Sequence, residues 1–132
     1  MIRLIFFPLL ALAACAGESL SVNLSAPTVV LDVFSGRPNP RWQLSADEAE
    51  DLENHLGGLP QTNPDEIPAP LGYRGFRIQD ENDVNITVTT NGLVVVHSNS
   101  EDKFYRDTKN VEGWLKTRAE VRGYGSVVDR AK

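Results

Sequence analysis

Two hydrophobic periods alternate along this chain. Thr28–Phe34 is an almost unbroken β-branched and apolar run in which Asp32 is the lone charge, and it predicts a central strand. Arg41-Trp42-Gln43-Leu44 alternates and predicts a short second strand. Between them, Ser35-Gly36-Arg37-Pro38-Asn39-Pro40 must be a loop, because two prolines lack the N–H that a ladder needs. The period then changes. Ala49, Leu52 and Leu56 lie at i, i+3 and i+7, behind a Ser45-Ala46-Asp47-Glu48 capping box and ahead of Gly57-Gly58, which marks a helix with both ends signalled.

Leu59–Gly72 is a proline-rich connection, and Tyr73–Gln79 predicts a strand closed by the polar turn Asp80-Glu81-Asn82-Asp83. Val84–Thr90 alternates strictly up to Asn91-Gly92, the signature of a two-residue type I′ hairpin, and Leu93–Ser98 returns. That turn sets Val88 opposite Val95 and Ile86 opposite His97, with Thr87 and Thr89 opposite Val96 and Val94. Ser98–Arg106 reads as a polar loop carrying Phe104 and Tyr105. A second helix is expected from about 108 to 122, capped by Asp107 or Thr108, with Val111, Trp114, Leu115 and Ala119 as its stripe. Gly123-Tyr124-Gly125 ends it, and 126–132 is expected as a polar tail. These elements predict a single small α+β domain over 28–125: an antiparallel sheet of about four to five strands with two helices on one face.

The first residues follow neither period. Met1-Ile2-Arg3 is a short positive region, and Leu4–Gly17 carries no charge. Those 14 residues span about 21 Å as a helix, against the ~30 Å of a hydrocarbon core, so they read as an export signal over 1–14 rather than a membrane span. The whole-chain figure of 41% hydrophobic residues is therefore inflated by a segment outside the domain. In 132 residues there is one cysteine, which excludes an internal disulfide framework and a Cys-based zinc site. A net charge of −5 argues against nucleic-acid binding, which relies on a basic footprint.

Leu12-Ala13-Ala14-Cys15 resembles the lipobox of bacterial lipoprotein precursors: a branched apolar residue, two small ones, then Cys. The resemblance implies lipidation of Cys15, cleavage just before it, and acylation of the new amino terminus. Two or three acyl chains such as palmitate on one residue would anchor firmly, where a single chain binds only marginally. Ala16 follows the Cys where an Asp would imply inner-membrane retention, so the outer membrane of the cell envelope is the expected location. Cleavage at a small-x-small site around Cys15 stays open as an alternative, giving a soluble secreted or periplasmic protein. Residues 15–27 are expected as anchor and flexible tether, the stretch from Ala16 to Pro27 being small, polar and Ser-rich.

Val33–Ser45 carries a V-F-S-G-R-P-N-P-x-W-x-L-S string, with Leu71–Phe76 as a weaker second block. Together they resemble an uncharacterised group of small secreted or lipid-anchored proteins, which implies a shared fold and no activity. Read physically, prolines stiffen the 35–42 loop at little entropic cost, and Arg and Trp are favoured at binding hot spots. Ser35, Arg37, Asn39, Arg41 and Trp42, extended by Tyr73 and Arg74, are therefore the candidate binding residues, weighed against a purely structural loop with Trp42 in the core. The expected partner is an unidentified protein or glycan. An enzyme inhibitor using the Gly36–Pro40 loop is the alternative.

Chemistry is thinly signalled. No HExxH, GxSxG, P-loop or dinucleotide motif occurs, and neither a metal nor a cofactor is expected. His97 near a strand end and His55 on a helix read as structural or solvated. A Ser35/His97/Asp32 triad is conceivable and would make the protein a hydrolase. The leading expectation is a small lipid-anchored envelope protein with a non-catalytic binding domain.

Overall fold

The structure, a computed structural model, describes residues 18–33, 38–63, 75–99 and 101–130. Its strands are β1 (Thr28–Asp32), β2 (Arg41–Gln43), β3 (Gly75–Gln79), β4 (Asn85–Val88), β5 (Leu93–His97) and β6 (Asp102–Arg106); its helices are α1 (Ala46–Leu56), α2 (Val111–Val121) and α3 (Gly125–Arg130). The strands form one sheet in the order β2-β1-β3-β4-β5-β6, and every pair is antiparallel. The class is α+β as expected, with six strands rather than four or five and three helices rather than two.

Register explains the core. Trp42, Val29, Ile78, Ile86 and Val96 form one cross-strand row, and Leu31, Phe76, Val88, Val94 and Tyr105 form the next. Because side chains alternate across a strand, both rows face the same side. There they join Leu52 and Leu56 of α1, Val111, Leu115 and Ala119 of α2, and Val128 of α3 in one hydrophobic cluster.

The hairpin differs from expectation by one residue. Val88 pairs with Val94 and Ile86 with Val96, so the loop is Thr90-Asn91-Gly92, not Asn91-Gly92 alone. Gly92 takes the left-handed conformation (φ 84°) that closes a three-residue loop. The Thr89 hydroxyl secures it, accepting from the Leu93 N–H at 3.1 Å. A one-residue slip reverses every facing. The observed register places four aliphatic residues, Ile86, Val88, Val94 and Val96, on the core side and moves His97 to the other.

The expected loop over 98–106 is instead largely β6. Tyr105 is buried against Val94, while Asp102 and Arg106 at the strand ends are exposed, the composition of a charged edge strand. α2 begins at Val111, capped by Asn110, whose carboxamide accepts from the Gly113 N–H at 3.2 Å. Asp107 accepts from the N–H groups of Val111 (2.8 Å) and Glu112 (3.1 Å), so the expected cap residue serves the same orphan donors from further upstream. The expected polar tail is α3 as far as residue 130, and its Val128 is buried.

The expected tether also belongs to the domain from residue 18 onward. Ser19 bridges to Pro60, and Leu20, itself buried, donates to Leu59 O at 3.0 Å and accepts from Gly58 N at 2.8 Å. Leu24 N–H donates to Glu53 Oε1 at 2.5 Å. Further on, the Asp80 carboxylate accepts from Ser25 N (2.6 Å), Ala26 N (3.2 Å) and Glu81 N (2.8 Å). Burial pushes the Asp80 pKa up, but those three backbone donors outweigh it and hold the group below its ordinary value.

Among the described glycines, Gly75 leaves the least room for a side chain. Its φ is +108°, and a Cβ there would lie 2.0 Å from the carbonyl oxygen of Val88. Gly75→Ala must therefore displace β3 from β4, and a loss of more than about 2 kcal/mol is expected in chemical denaturation. A loss under about 0.5 kcal/mol would show that β3 and β4 do not approach this closely at Gly75.

Candidate functional site

The candidate residues divide sharply. Ser35, Arg37, Tyr73, Arg74 and Cys15 lie outside the described residues. Asn39, Arg41 and Trp42 lie within them, on and just before β2.

Asn39 ties the loop to the end of β1. Its carboxamide oxygen accepts from Val33 N–H at 3.1 Å, and its Nδ2 donates to Asp32 Oδ1 at 3.1 Å. Pro40 O accepts from Leu31 N–H at 2.9 Å, so the loop stays latched to β1 although the prolines donate nothing. Asp32 also faces Arg77 Nε at 3.7 Å. Asn39 is thus engaged in holding the loop.

Trp42 is a core residue, 8% exposed. Its ring stacks on Tyr124 with centroids 5.6 Å apart and meets Phe76 edge-on at 6.4 Å. Arg122 covers the ring, its guanidinium carbon 5.8 Å from the centroid. The same guanidinium grips Glu48 with two parallel bonds, 3.0 Å to Oε2 and 2.5 Å to Oε1. Glu48 in turn completes the capping box with Ser45. One arginine therefore joins the start of α1, the end of α2 and the β2 tryptophan.

Arg41 is the candidate left facing outward. It is exposed on β2, opposite Val30, which is itself paired with Arg77 on β3. Arg41 and Arg77 therefore flank Val30 on the side of the sheet away from the helices.

A second constellation lies at the far end of the sheet. His97 Nδ1 is 3.0 Å from Asp102 Oδ1, and His97 Nε2 is 2.9 Å from Thr87 Oγ1. Gln79, Asp83, Asn85, His97, Ser98 and Asn99 are among the residues around an open hollow of about 540 Å³ beside it. Carboxylate, imidazole and hydroxyl are aligned as a base with its orienting partner and a nucleophile would be. Thr87, however, sits within β4, which is paired on both sides, so the neighbouring N–H groups are committed to the ladders rather than free to hold an oxyanion. This line is invisible in the sequence, where 98–106 has the composition of a loop and only β6 brings Asp102 beside His97. Asp32 lies three strand spacings across the sheet and four residues along it from His97, roughly 20 Å, which separates the two members of the imagined Ser35/His97/Asp32 triad that are described. Among the described residues, no group of three or more His, Cys, Asp or Glu could hold a metal ion.

No family model, curated protein or solved structure matches this chain.

The Arg122 bonds hold the Glu48 carboxyl below its ordinary value of 4.5, against an opposing push from burial. A lowered folded-state pKa gives stability that is complete above the unfolded value and is lost as pH falls through the folded one. Glu48→Gln keeps a side chain able to serve the capping box but removes the charge. It is expected to cost about 1.5–3 kcal/mol at neutral pH, and the gap to the wild type should close on acidification below about pH 4.5. Unfolding curves across that range check this, and a gap independent of pH would contradict it.

Proposed function

We propose that the protein is a small lipid-anchored envelope protein, most simply of the outer membrane, whose domain is a non-catalytic binding module for a protein or glycan partner. One observation carries the reading: an apolar segment ends in Leu12-Ala13-Ala14-Cys15 only four residues before Ser19, the first of the described residues bridged into the domain. Lipidation supplies attachment that an acidic surface does not. No helix among the described residues is long and apolar enough to cross a membrane. The binding role draws support from loop 38–41, which is latched at Asn39 and Pro40 and presents an exposed Arg41. A side chain on a pre-ordered backbone binds with less entropy loss.

The Thr87–His97–Asp102 line is the observation that favours a hydrolase as the second reading. Its committed amides make a cross-strand tie the better account. Thr87→Val, which removes the hydroxyl at nearly constant volume, separates the two by its effect on turnover of a small ester.

Mass spectrometry of the mature protein from envelope fractions is expected to show an acylated amino-terminal Cys15. An unmodified terminus at Gly17 would remove the anchor from the account. Arg41→Ala is expected to leave the unfolding midpoint unchanged while reducing recovery of crosslinked envelope partners at least about fivefold, a loss of roughly 1 kcal/mol. Unchanged recovery would exclude this edge as the binding surface.

A further inference from the structure

The covalent path from Cys15 to the domain is short, and its landing point is fixed. Four peptide steps separate Cys15 from Ser19, which allow at most about 14 Å between them. Ser19 does not dangle. It bridges to Pro60, and Gln61 bridges to Tyr105 on the outer side of β6, so the chain enters the domain at the β6 edge of the sheet. Swinging that entry point elsewhere would break the Leu20–Leu59 and Gly58–Leu20 backbone bonds and expose Leu20, which is 5% exposed.

β2 is the opposite edge of the same sheet, five strand spacings or about 24 Å away. Lys103, Arg106 and Lys109 are interleaved with Glu18, Glu101, Asp102 and Asp107 on and beside β6, so this edge has no basic excess to draw it to anionic lipid. The short tether, rather than charge, determines which side meets the membrane.

Resting on the lipid-anchored reading above, we propose that the domain stands on the bilayer by its β6 edge, with the segments around Gln61 and Lys103 against the lipid headgroups and the β2 edge with Arg41 pointing away. Interaction with the headgroup layer is then a built-in property of one edge, and a partner reaches Arg41 from the distal side.

The test uses the full chain, processed in cells and reconstituted into phosphatidylethanolamine–phosphatidylglycerol vesicles that carry a headgroup quencher. A fluorophore is attached through Gln61→Cys or, in a second variant, Gln43→Cys; both positions are exposed. Quenching at 61 is expected to exceed that at 43 at least threefold. Equal or reversed quenching on protein that floats with the vesicles and carries acylated Cys15 would overturn the orientation while leaving the anchor intact. Protein that neither floats nor carries acyl chains would overturn the anchor, and this placement with it.

Discussion

The guanidinium of Arg122 holds together the parts of the fold that the chain itself keeps far apart. It grips Glu48 across 74 residues of sequence and covers the ring of Trp42. Each contact constrains another. Glu48 is simultaneously the return half of the α1 capping box, and Trp42 is wedged between Tyr124 and Phe76. The ion pair is partly buried, with side-chain exposures of 25% and 17%, so solvent screens it less than a surface pair and its two bonds fix a geometry. Release of Arg122 would free the end of α2, the start of α1 and the short strand β2 together.

That arrangement changes how the proline-rich segment before α1 is understood. Within it Trp42 serves the core and Asn39 serves the loop, leaving Arg41 as the described candidate that faces outward. A three-residue edge strand preceded by Pro38 and Pro40 also resists pairing with a further strand. Rigidity here has two consequences: it protects an exposed sheet edge and holds one arginine in a defined place.

Much of the fold was legible because local signals agreed with tertiary needs. The capping box, the Ala49–Leu52–Leu56 stripe and the apolar run of β1 each have one physical reading. Errors arose where the decisive term was non-local. Asn91-Gly92 fits a two-residue turn, but burying Ile86, Val88 and Val94 on one face, with Val96 packed beside them, requires the three-residue loop. β6 has charges at both ends and no clean alternation, so only its pairing with β5 and the bridge from Gln61 to Tyr105 identify it as a strand. Residues 18–27 have the composition of a linker and are held by partners at Glu53, Leu59 and Asp80 that periodicity cannot reveal. Similarly, no spacing rule connects Glu48 with Arg122, or His97 with both Thr87 and Asp102.

The Arg122–Glu48 pair locks the β2 segment into the core and leaves Arg41 to face outward. A double-mutant cycle by chemical denaturation, using Glu48→Gln, Arg122→Met and the two combined, tests it most directly. A coupling energy of about 1–3 kcal/mol is expected at neutral pH. Additive losses, with coupling below about 0.3 kcal/mol, would contradict it.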